Sequence, residues 1–237
     1  MRTTGRRFIP PQHGAWAMLL LPYLIGVLTA GFRWPHVPLL LAWLSGYLLS
    51  YYALQAVKTR RPGRCRDQLL AYALSTTLFG ATVVVACPAV LRYALVFVLL
   101  LGLNAYYAWQ RRERALLNDL VSVVQSCLMV FVAATVAGVP PAEVAIPFTV
   151  VLLYFTGTVL YVKTMIRERG SIAYRRASAG YHLAAAVVAG WLSWPLGVLF
   201  GLLALRALVL PRRRLTPKQV GLLEIAACLV LGTLVLQ

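Results

Sequence analysis

The chain has 237 residues, of which 61% are hydrophobic and only 12% are charged. Soluble domains carry about a quarter charged residues, so this composition excludes an ordinary soluble globular protein. A net charge of +17 would indicate nucleic-acid binding in a soluble protein. In a membrane protein the same charge indicates loops on the cytoplasmic side, where Lys and Arg accumulate.

Apolar runs of about 20 residues, long enough to cross the ~30 Å hydrocarbon core, recur along the whole chain. They predict an all-α polytopic membrane protein with about nine transmembrane helices, forming a single domain over residues 1–237 with a short basic arm at 1–13. No small-residue cleavage site follows the first run, which is therefore interpreted as a retained helix. The predicted spans cover 14–31, 37–57, 68–86, 90–109, 116–137, a sixth ending within 160–169, two within 180–210, and 219–237.

The stretch 180–210 is apolar throughout and is interrupted at Ser193-Trp194-Pro195. Clusters of Arg flank it on both sides and are expected on the cytoplasmic side, so the chain must cross an even number of times between them. Two short, tilted or partly inserted helices satisfy this condition, whereas one long helix does not. We therefore predict a hairpin here.

The distribution of basic residues predicts the orientation of the chain. All but three of the 23 Lys and Arg residues fall in the N-terminal arm and in the connections after the second, fourth, sixth and eighth spans. The exceptions are Arg33, Arg92 and Arg206. Because cytoplasmic loops collect Lys and Arg, we predict a plasma (inner) membrane protein with its N-terminus cytoplasmic and its C-terminus external.

A Val-Lys-Thr triplet occurs twice in this chain. Val57-Lys58-Thr59 ends the second span and Val162-Lys163-Thr164 ends the sixth, each followed by a cationic loop. The two triplets lie four helices apart, which predicts a weak internal repeat of a four-helix unit in parallel orientation, plus a ninth helix. Transporters also use such repeats, so the repeat alone does not assign a function.

Lys58 and Lys163 have two interpretations. They are either membrane anchors, whose aliphatic stems lie along the bilayer while the amines reach the headgroups, or a paired site for an anionic group. In the second case four neighbouring arginines assist, namely Arg60, Arg61, Arg167 and Arg169, because an ammonium point charge and a guanidinium fork both suit phosphate. Basic pockets on the cytoplasmic side equally bind lipid headgroups. Tyr161 lines the same cavity or is an interfacial aromatic residue.

Asn118 and Asp119 begin the fifth span, just after an Arg-rich connection. One interpretation is a helix cap, where a short oxygen acceptor is favoured. The other is a polar pair facing the central cavity, with Asp119 neutralised by a neighbouring Lys or Arg. His13, at the mouth of the first span, is either a hydrogen-bonded interfacial residue or a further ligand contact. Polar residues within later spans are expected to form a structural ion pair, Arg206 with Glu224.

The sequence predicts no metal site and no cofactor. The four cysteines are scattered, without metal-ligand or redox spacing. Neither cationic loop carries the aspartate cluster that would hold Mg²⁺, since Asp67 and Glu168 are single acidic residues in their loops. Gly-rich phosphate loops, nucleophile elbows and zinc-binding helix motifs are also missing from the sequence.

Four stretches of the sequence carry a resemblance to a known family. They are QHGAWAMLLLP at residues 12–22, Asn118-Asp119, residues 161–164 (YVKT) and residues 221–224 (GLLE). The first resembles the opening signature of the YwiC-like membrane protein family, and the other three resemble further parts of that family's pattern. The likeness covers nearly the whole chain, but the family is uncharacterised, so the resemblance implies little about mechanism.

A more distant likeness is to the UbiA-type intramembrane prenyltransferases. It implies nine helices around a central cavity, with two catalytic segments in the loops after helices two and six. By position these segments match residues 51–61 and 160–169 of this chain, which lack the aspartates that hold Mg²⁺ and grip prenyl diphosphate in that family. The resemblance therefore implies the fold more strongly than it implies metal-assisted prenyl transfer.

These observations predict a cytoplasm-facing cationic cavity that binds an isoprenoid diphosphate or another anionic membrane lipid and no nucleic acid. Lys58, Lys163 and nearby arginines would supply the charge that Mg²⁺ supplies in the UbiA-type proteins. If the protein is an enzyme, it is expected to be a prenyltransferase-like transferase. The alternatives are a small membrane transporter or flippase, and a non-catalytic assembly subunit of a membrane enzyme.

Overall fold

The computed structural model describes residues 8, 13–213 and 215–236. The predicted basic arm lies outside these residues except for Phe8 and the backbone of His13. Ten α-helices and five short 3-10 or π segments make up the described part, which contains no β-strand. The helices are α1 (His13–Ala30), α2 (His36–Thr59), α3 (Arg66–Ala86), α4 (Ala94–Trp109), α5 (Leu116–Cys127), α6 (Met129–Ala137), α7 (Ala145–Val162), α8 (Ile172–Leu192), α9 (Trp194–Val209) and α10 (Pro217–Val235).

Seven helical stretches in the described residues are long and apolar enough to cross a membrane. They are His36–Thr59, Pro62–Ala86, Pro88–Trp109, Leu116–Ala137, Pro141–Arg167, Trp194–Arg212 and Pro217–Val235. The prediction of an all-α polytopic membrane protein is therefore confirmed. The predicted nine spans include two more helices, α1 and α8. Helix α1 is a shorter apolar helix, and α8 is not among the seven stretches, so the number nine stays a prediction.

Proline determines where several helices begin. The 3-10 turns Pro62–Cys65, Pro88–Tyr93 and Pro141–Val144 each begin with a proline and lead directly into the next helix. A proline is suited to these positions because its ring fixes φ and its missing N–H would have no partner in a first helical turn. Helix α10 begins similarly, with Pro217 following the cap residue Thr216 of a capping box.

The hairpin of α8 and α9 breaks where the sequence predicts, at Ser193, whose backbone is extended. The predicted start at residue 180 is wrong, because α8 begins at Ile172 with Ser171 as its cap. The helix thus has 21 residues and a length of about 31 Å, and its first turns contain basic residues that the sequence pattern had placed in a loop. At the turn a Cβ on Gly197 would lie 2.6 Å from the Cα of Gly190, so only glycine allows this approach.

The protein has a well-packed half and a lipid-facing half. The largest core joins α1, α5, α7, α8, α9 and α10 around residues such as Val151, Phe200 and Leu231. Helices α3 and α4 instead expose most of their Leu and Val side chains, with Leu74 and Val85 being 73% and 83% exposed. In a membrane, lipid chains cover such side chains at no hydrophobic cost.

One end of the bundle gathers the basic connections, and we call it the basic end. A Lys58–Glu113 ion pair joins the end of α2 to the α4–α5 connection. Lys163 at the end of α7 donates to the carbonyl of Arg114 in that same connection. Arg169 donates to the Arg213 carbonyl at 3.0 Å and thereby joins the α7–α8 and α9–α10 connections. The structure therefore brings four separate basic segments together.

Candidate anion-binding site

A cleft of 310 Å³ opens at the basic end, where α2 ends, α3 begins and α4 ends. We call it the cationic cleft. Its lining consists of four cationic side chains and one hydroxyl-bearing residue, namely Lys58, Arg61, Arg64, Arg111 and Thr59. Its volume is at the lower end of the ~300–1,000 Å³ range of ligand sites, which suits a polar headgroup.

Two arginines near the cleft have a left-handed backbone conformation, and the chain turns at each of them. Arg60 has φ 53° and ends α2, and Arg111 has φ 58° just after α4. Glycine usually fills this position at a helix end because it has no Cβ to clash. Arginine adds a positive charge where the helix carbonyls concentrate negative potential. Each turn therefore has a cation where glycine is usual, although the left-handed conformation of an arginine raises the conformational energy of the backbone.

Lys58 is the cleft residue whose charge is balanced in the structure. Its side chain is 41% exposed, and its Nζ lies 2.7 Å from Glu113 Oε1. Partial burial on its own would raise the pKa of Glu113, but the hydrogen bond from Lys58 and the nearby positive charges lower it below its ordinary value. The described residues provide no ion pair for Arg61, Arg64 or Arg111. The cleft is therefore rich in uncompensated positive charge.

Lys163 lies in a different environment. Only 3% of its side chain is exposed, and its Nζ is 2.8 Å from Asp119 Oδ2. The same ammonium donates to the Arg114 carbonyl at 2.7 Å, and Arg167 approaches Asp119 to 4.0 Å. A buried cation needs such partners because leaving it unpaired is costly. Lys163 is thus fully engaged with protein groups and does not line the cleft.

A π-helical turn over Lys163–Arg167 gives Lys163 this position. The Glu168 N–H donates to the Lys163 carbonyl at 2.7 Å, five residues apart. The Thr164 hydroxyl donates to the Tyr161 carbonyl and closes the preceding turn. A π turn is wider than an α turn and is frequent at functional sites. The first Val-Lys-Thr triplet ends a regular α-helix, so the π turn is the local feature that distinguishes the second triplet from the first.

Asn118 and Asp119 do not cap α5, so the capping interpretation is wrong. The cap residue is Ala115, which places Asn118 and Asp119 within the first helical turns. The amide nitrogen of Asn118 instead donates to the Glu113 carbonyl at 2.8 Å, and its buried Oδ1 has no partner among the described residues. Asp119 is neutralised by Lys163, as the alternative interpretation predicts.

The segment 113–119 connects the two lysines. Glu113 pairs with Lys58, while Arg114 and Asp119 hold Lys163. The structure therefore brings the two lysines to one short segment, although only Lys58 faces the cationic cleft. Asn118 ties the start of α5 to the same segment.

The other predicted site residues are spread over several places in the structure. Tyr161 is fully buried, and the Arg206 guanidinium lies over its ring at 4.0 Å. The predicted Arg206–Glu224 ion pair is confirmed. The side chain of His13 lies outside the described residues. Arg61 lines the cleft, whereas Arg167 is near Asp119.

Sequence reasoning missed three members of this region, namely Arg64, Arg111 and Glu113. Arg111 was missed because no glycine marks its left-handed turn. Glu113 carried a usable signal, since it is the single acidic residue within an Arg-Arg-Glu-Arg run. A lone carboxylate among cations is a natural partner for a nearby lysine.

The cleft can hold a phosphate group through charge-assisted hydrogen bonds. Arginine offers a planar fork of donors to two oxygens and lysine offers a point charge. Within the described part of the chain, no three His, Cys, Asp or Glu side chains come together in a way that could hold a metal ion. The donors that the cleft presents are thus suited to an anion.

Comparisons with known proteins agree with the sequence resemblance. The family model described as "YwiC-like protein" matches residues 9–134. "Uncharacterized protein YwiC" of Bacillus subtilis is 34% identical over 98% of this chain and 98% of its own length. An "Uncharacterized protein" of Haemophilus influenzae is 32% identical over 96% of this chain and 97% of its own length. No solved structure matches, and the likeness to UbiA-type proteins stays a prediction.

Proposed function

We propose that this protein, which belongs to the YwiC-like family, binds the phosphate-bearing head of an anionic amphiphile in its cationic cleft. The ligand class is an isoprenoid diphosphate or another anionic lipid, presented from the cytoplasmic side of the plasma membrane. The observation that supports this proposal is the cleft itself, where four cationic side chains surround a 310 Å³ space.

Electrostatics favours an anionic ligand at this position. Lys58 has Glu113 as a counterion, but the other three cations of the cleft have no ion pair among the described residues. Like charges held this close repel one another, so an entering anion relieves the repulsion and gains hydrogen bonds. A phosphate group has enough acceptor oxygens to bond Lys58 and Arg61 together.

The membrane location favours an amphiphile over a free phosphate compound. The cleft lies where α2 and α4 end and α3 begins, and α3 and α4 expose apolar side chains along their lengths. A ligand with a hydrocarbon chain can keep its head in the cleft and its chain against these helices. In this proposal Lys163, Asp119 and Asn118 position the segment 113–119 and do not contact the ligand.

The proposal is tested by measuring binding of two probes, farnesyl diphosphate and phosphatidylglycerol, to the protein in phosphatidylcholine nanodiscs. Lys58→Ala and Arg61→Ala should each weaken binding about tenfold to a hundredfold, since a hydrogen bond to a charged group contributes ~1.5–3 kcal/mol. Arg33→Ala is the control, because Arg33 is exposed between α1 and α2, at the other end of α2 from Lys58. Binding should also weaken with added salt, which screens exposed charges over ~10 Å at about 0.1 M.

The comparison of the two probes identifies the ligand class. Stronger binding of farnesyl diphosphate would assign a diphosphate site, and stronger binding of phosphatidylglycerol would assign a lipid-headgroup site. Chelation of divalent ions should leave binding unchanged, since the cationic side chains carry the charge. A strict Mg²⁺ requirement, or equal binding by wild type and both cleft variants, would contradict the proposal.

The orientation is tested separately. Reporter fusions after Arg114 should read cytoplasmic and fusions at the C-terminus should read external. A cytoplasmic C-terminus would contradict the nine-span topology. An external reading after Arg114 would place the cleft on the wrong side for a cytoplasmic ligand.

A further inference from the structure

The three arginines of the cationic cleft come from two separate connections of the chain. Arg61 and Arg64 belong to the connection between α2 and α3, whereas Arg111 belongs to the connection between α4 and α5. The Lys58–Glu113 ion pair joins these two connections across 2.7 Å. A headgroup that enters the cleft therefore meets guanidinium groups from both connections at once.

Hydrogen bonds of the main chain fix the backbone that carries these arginines. The Arg64 N–H donates to the Arg61 carbonyl at 3.2 Å, where the 3-10 turn before α3 begins. The Arg111 N–H donates to the Ala108 carbonyl at 3.0 Å in the turn that ends α4. All three arginines are exposed, so a ligand reaches their side chains from solvent. A fixed backbone lowers the entropy that binding costs.

In the described part of the chain, the guanidinium groups are the cleft donors that no protein group engages. The Lys58 ammonium is paired with Glu113, and the Thr59 hydroxyl donates to the Gln55 carbonyl at 2.8 Å. A guanidinium presents its donors as a planar fork, which binds two oxygens of one phosphate. A terminal phosphate has three free oxygens and hence three oxygen pairs, one for each fork. A phosphodiester has a single pair of free oxygens.

The charge of the cleft favours the same kind of phosphate. Four cationic side chains line it, and Glu113 supplies one carboxylate beside Lys58. Three cations thus stay without an ion pair among the described residues, namely Arg61, Arg64 and Arg111. A terminal phosphate carries about −1.5 to −2 charges at pH 7, whereas a phosphodiester carries one. The terminal phosphate therefore neutralises more of the charge that the cleft holds.

We propose that the cationic cleft selects an amphiphile with a terminal phosphate over one with a phosphodiester headgroup. This inference rests on the proposed function and names the class of headgroup within it. Arg61, Arg64 and Arg111 each bind one pair of the three terminal oxygens. The end of a monophosphate or of a diphosphate meets this requirement, and the linking phosphate of phosphatidylglycerol does not.

The test compares phosphatidic acid with phosphatidylglycerol, both with the same fluorescent acyl chain. Their phosphate is terminal in the first lipid and esterified twice in the second. Equilibrium binding is measured in dodecyl maltoside micelles at pH 8, where wild type should bind phosphatidic acid about tenfold more tightly, which corresponds to ~1.4 kcal/mol. At pH 5 the terminal phosphate has regained a proton, because its second pKa is near 6, and the preference should disappear. Glu113 stays ionised at pH 5, since its pKa is lowered from 4.5.

Two variants test whether the arginines cause this preference. Arg64→Gln and Arg111→Gln should each weaken binding of phosphatidic acid about tenfold, and binding of phosphatidylglycerol by about threefold or less, because one fork is enough for a phosphodiester. Arg112→Gln is the matched control. It removes the same charge from an exposed neighbour of Arg111 that does not line the cleft, and it should leave the preference unchanged. Thermal unfolding verifies that each variant is folded.

The outcomes separate this inference from the proposed function. Equal binding of the two lipids by wild type, with both weakened in Lys58→Ala, would overturn the selection of a terminal phosphate and leave the anion site in place. Binding of neither lipid would overturn both. A preference that persists at pH 5, survives both cleft variants or is lost equally in Arg112→Gln would also overturn the inference.

Discussion

The two Val-Lys-Thr triplets show one short sequence in two different environments. Lys58 follows a regular α-helix, is 41% exposed and shares its charge with a single carboxylate, Glu113. Lys163 opens a π turn, is 3% exposed and is held by both Asp119 and a main-chain carbonyl. The exposed lysine has one carboxylate partner and remains open to solvent, whereas the buried one is held by a carboxylate and a main-chain carbonyl.

The difference in exposure predicts that mutations of the two lysines affect different properties of the protein. An exposed ion pair contributes little to folding because water and salt screen it. A buried pair contributes little net free energy as a pair, but breaking it leaves a charge without a partner. We therefore expect changes at Lys58 to affect ligand binding and changes at Lys163 to affect the fold.

The largest expected effect is on stability at Lys163. Lys163→Ala should lower the free energy of unfolding by up to about 3–5 kcal/mol, because it removes the buried partner of Asp119, which is 25% exposed and keeps only Arg167 at 4.0 Å. Lys58→Ala should lower it by no more than about 1 kcal/mol. Unfolding by sodium dodecyl sulfate in mixed micelles measures both values. Equal effects of the two variants would contradict the distinction between the regions.

The second prediction removes both partners of the buried pair. Lys163→Met combined with Asp119→Leu should recover about 2 kcal/mol or more of the stability lost in Lys163→Met, since a neutral apolar pair leaves no unpaired charge. The same unfolding assay completes a double-mutant cycle. Additive losses would show that Lys163 and Asp119 act independently, against the 2.8 Å contact.

A third, smaller effect is expected at the left-handed turn after α4. Arg111→Gly should raise the free energy of unfolding by about 1 kcal/mol, because glycine adopts φ 58° without the strain of a Cβ. The same variant should weaken anionic-probe binding, since it removes a cation from the cleft. Arg111→Lys serves as the comparison, because this variant keeps both the positive charge and the strained left-handed conformation. A glycine variant that binds as well as wild type would exclude Arg111 from the site.

The smallest effect is the pH dependence of the Lys58–Glu113 pair. The pKa of Glu113 is lowered from its ordinary 4.5 in the folded protein, so the pair stabilises the fold above that value. The stability that the pair contributes is lost as the pH falls from 4.5 through the lowered pKa that Glu113 has in the folded protein. Wild type and Glu113→Gln should therefore differ in unfolding free energy at pH 7 and converge once the pH falls below the lowered folded-state pKa of Glu113. A difference that stays constant over this range would show that Glu113 does not titrate with folding.

Part of the cationic cleft was predictable from the sequence. Lys58 and Arg61 stand out because they follow an apolar span and lie in a cluster of basic residues. Arg111 and Glu113 lie some 50 residues further on, and only the packing of α4 against α2 places them beside Lys58. Contacts across such a distance depend on helix packing. The single carboxylate of the Arg-Arg-Glu-Arg run indicates that Glu113 has a cationic partner, but it does not indicate which one.

The sequence alone determined that this is a polytopic helical membrane protein, because apolar runs of about 20 residues and clustered basic connections follow from the thickness and the charge asymmetry of a bilayer. It also located the two Val-Lys-Thr triplets at the ends of two helices and predicted the Arg206–Glu224 ion pair, which depends on depth along a helix. Only the tertiary structure decided that Lys163 is buried and Lys58 is open. That outcome depends on a π turn and on which helix covers each lysine, and both arise from packing between segments far apart in the chain.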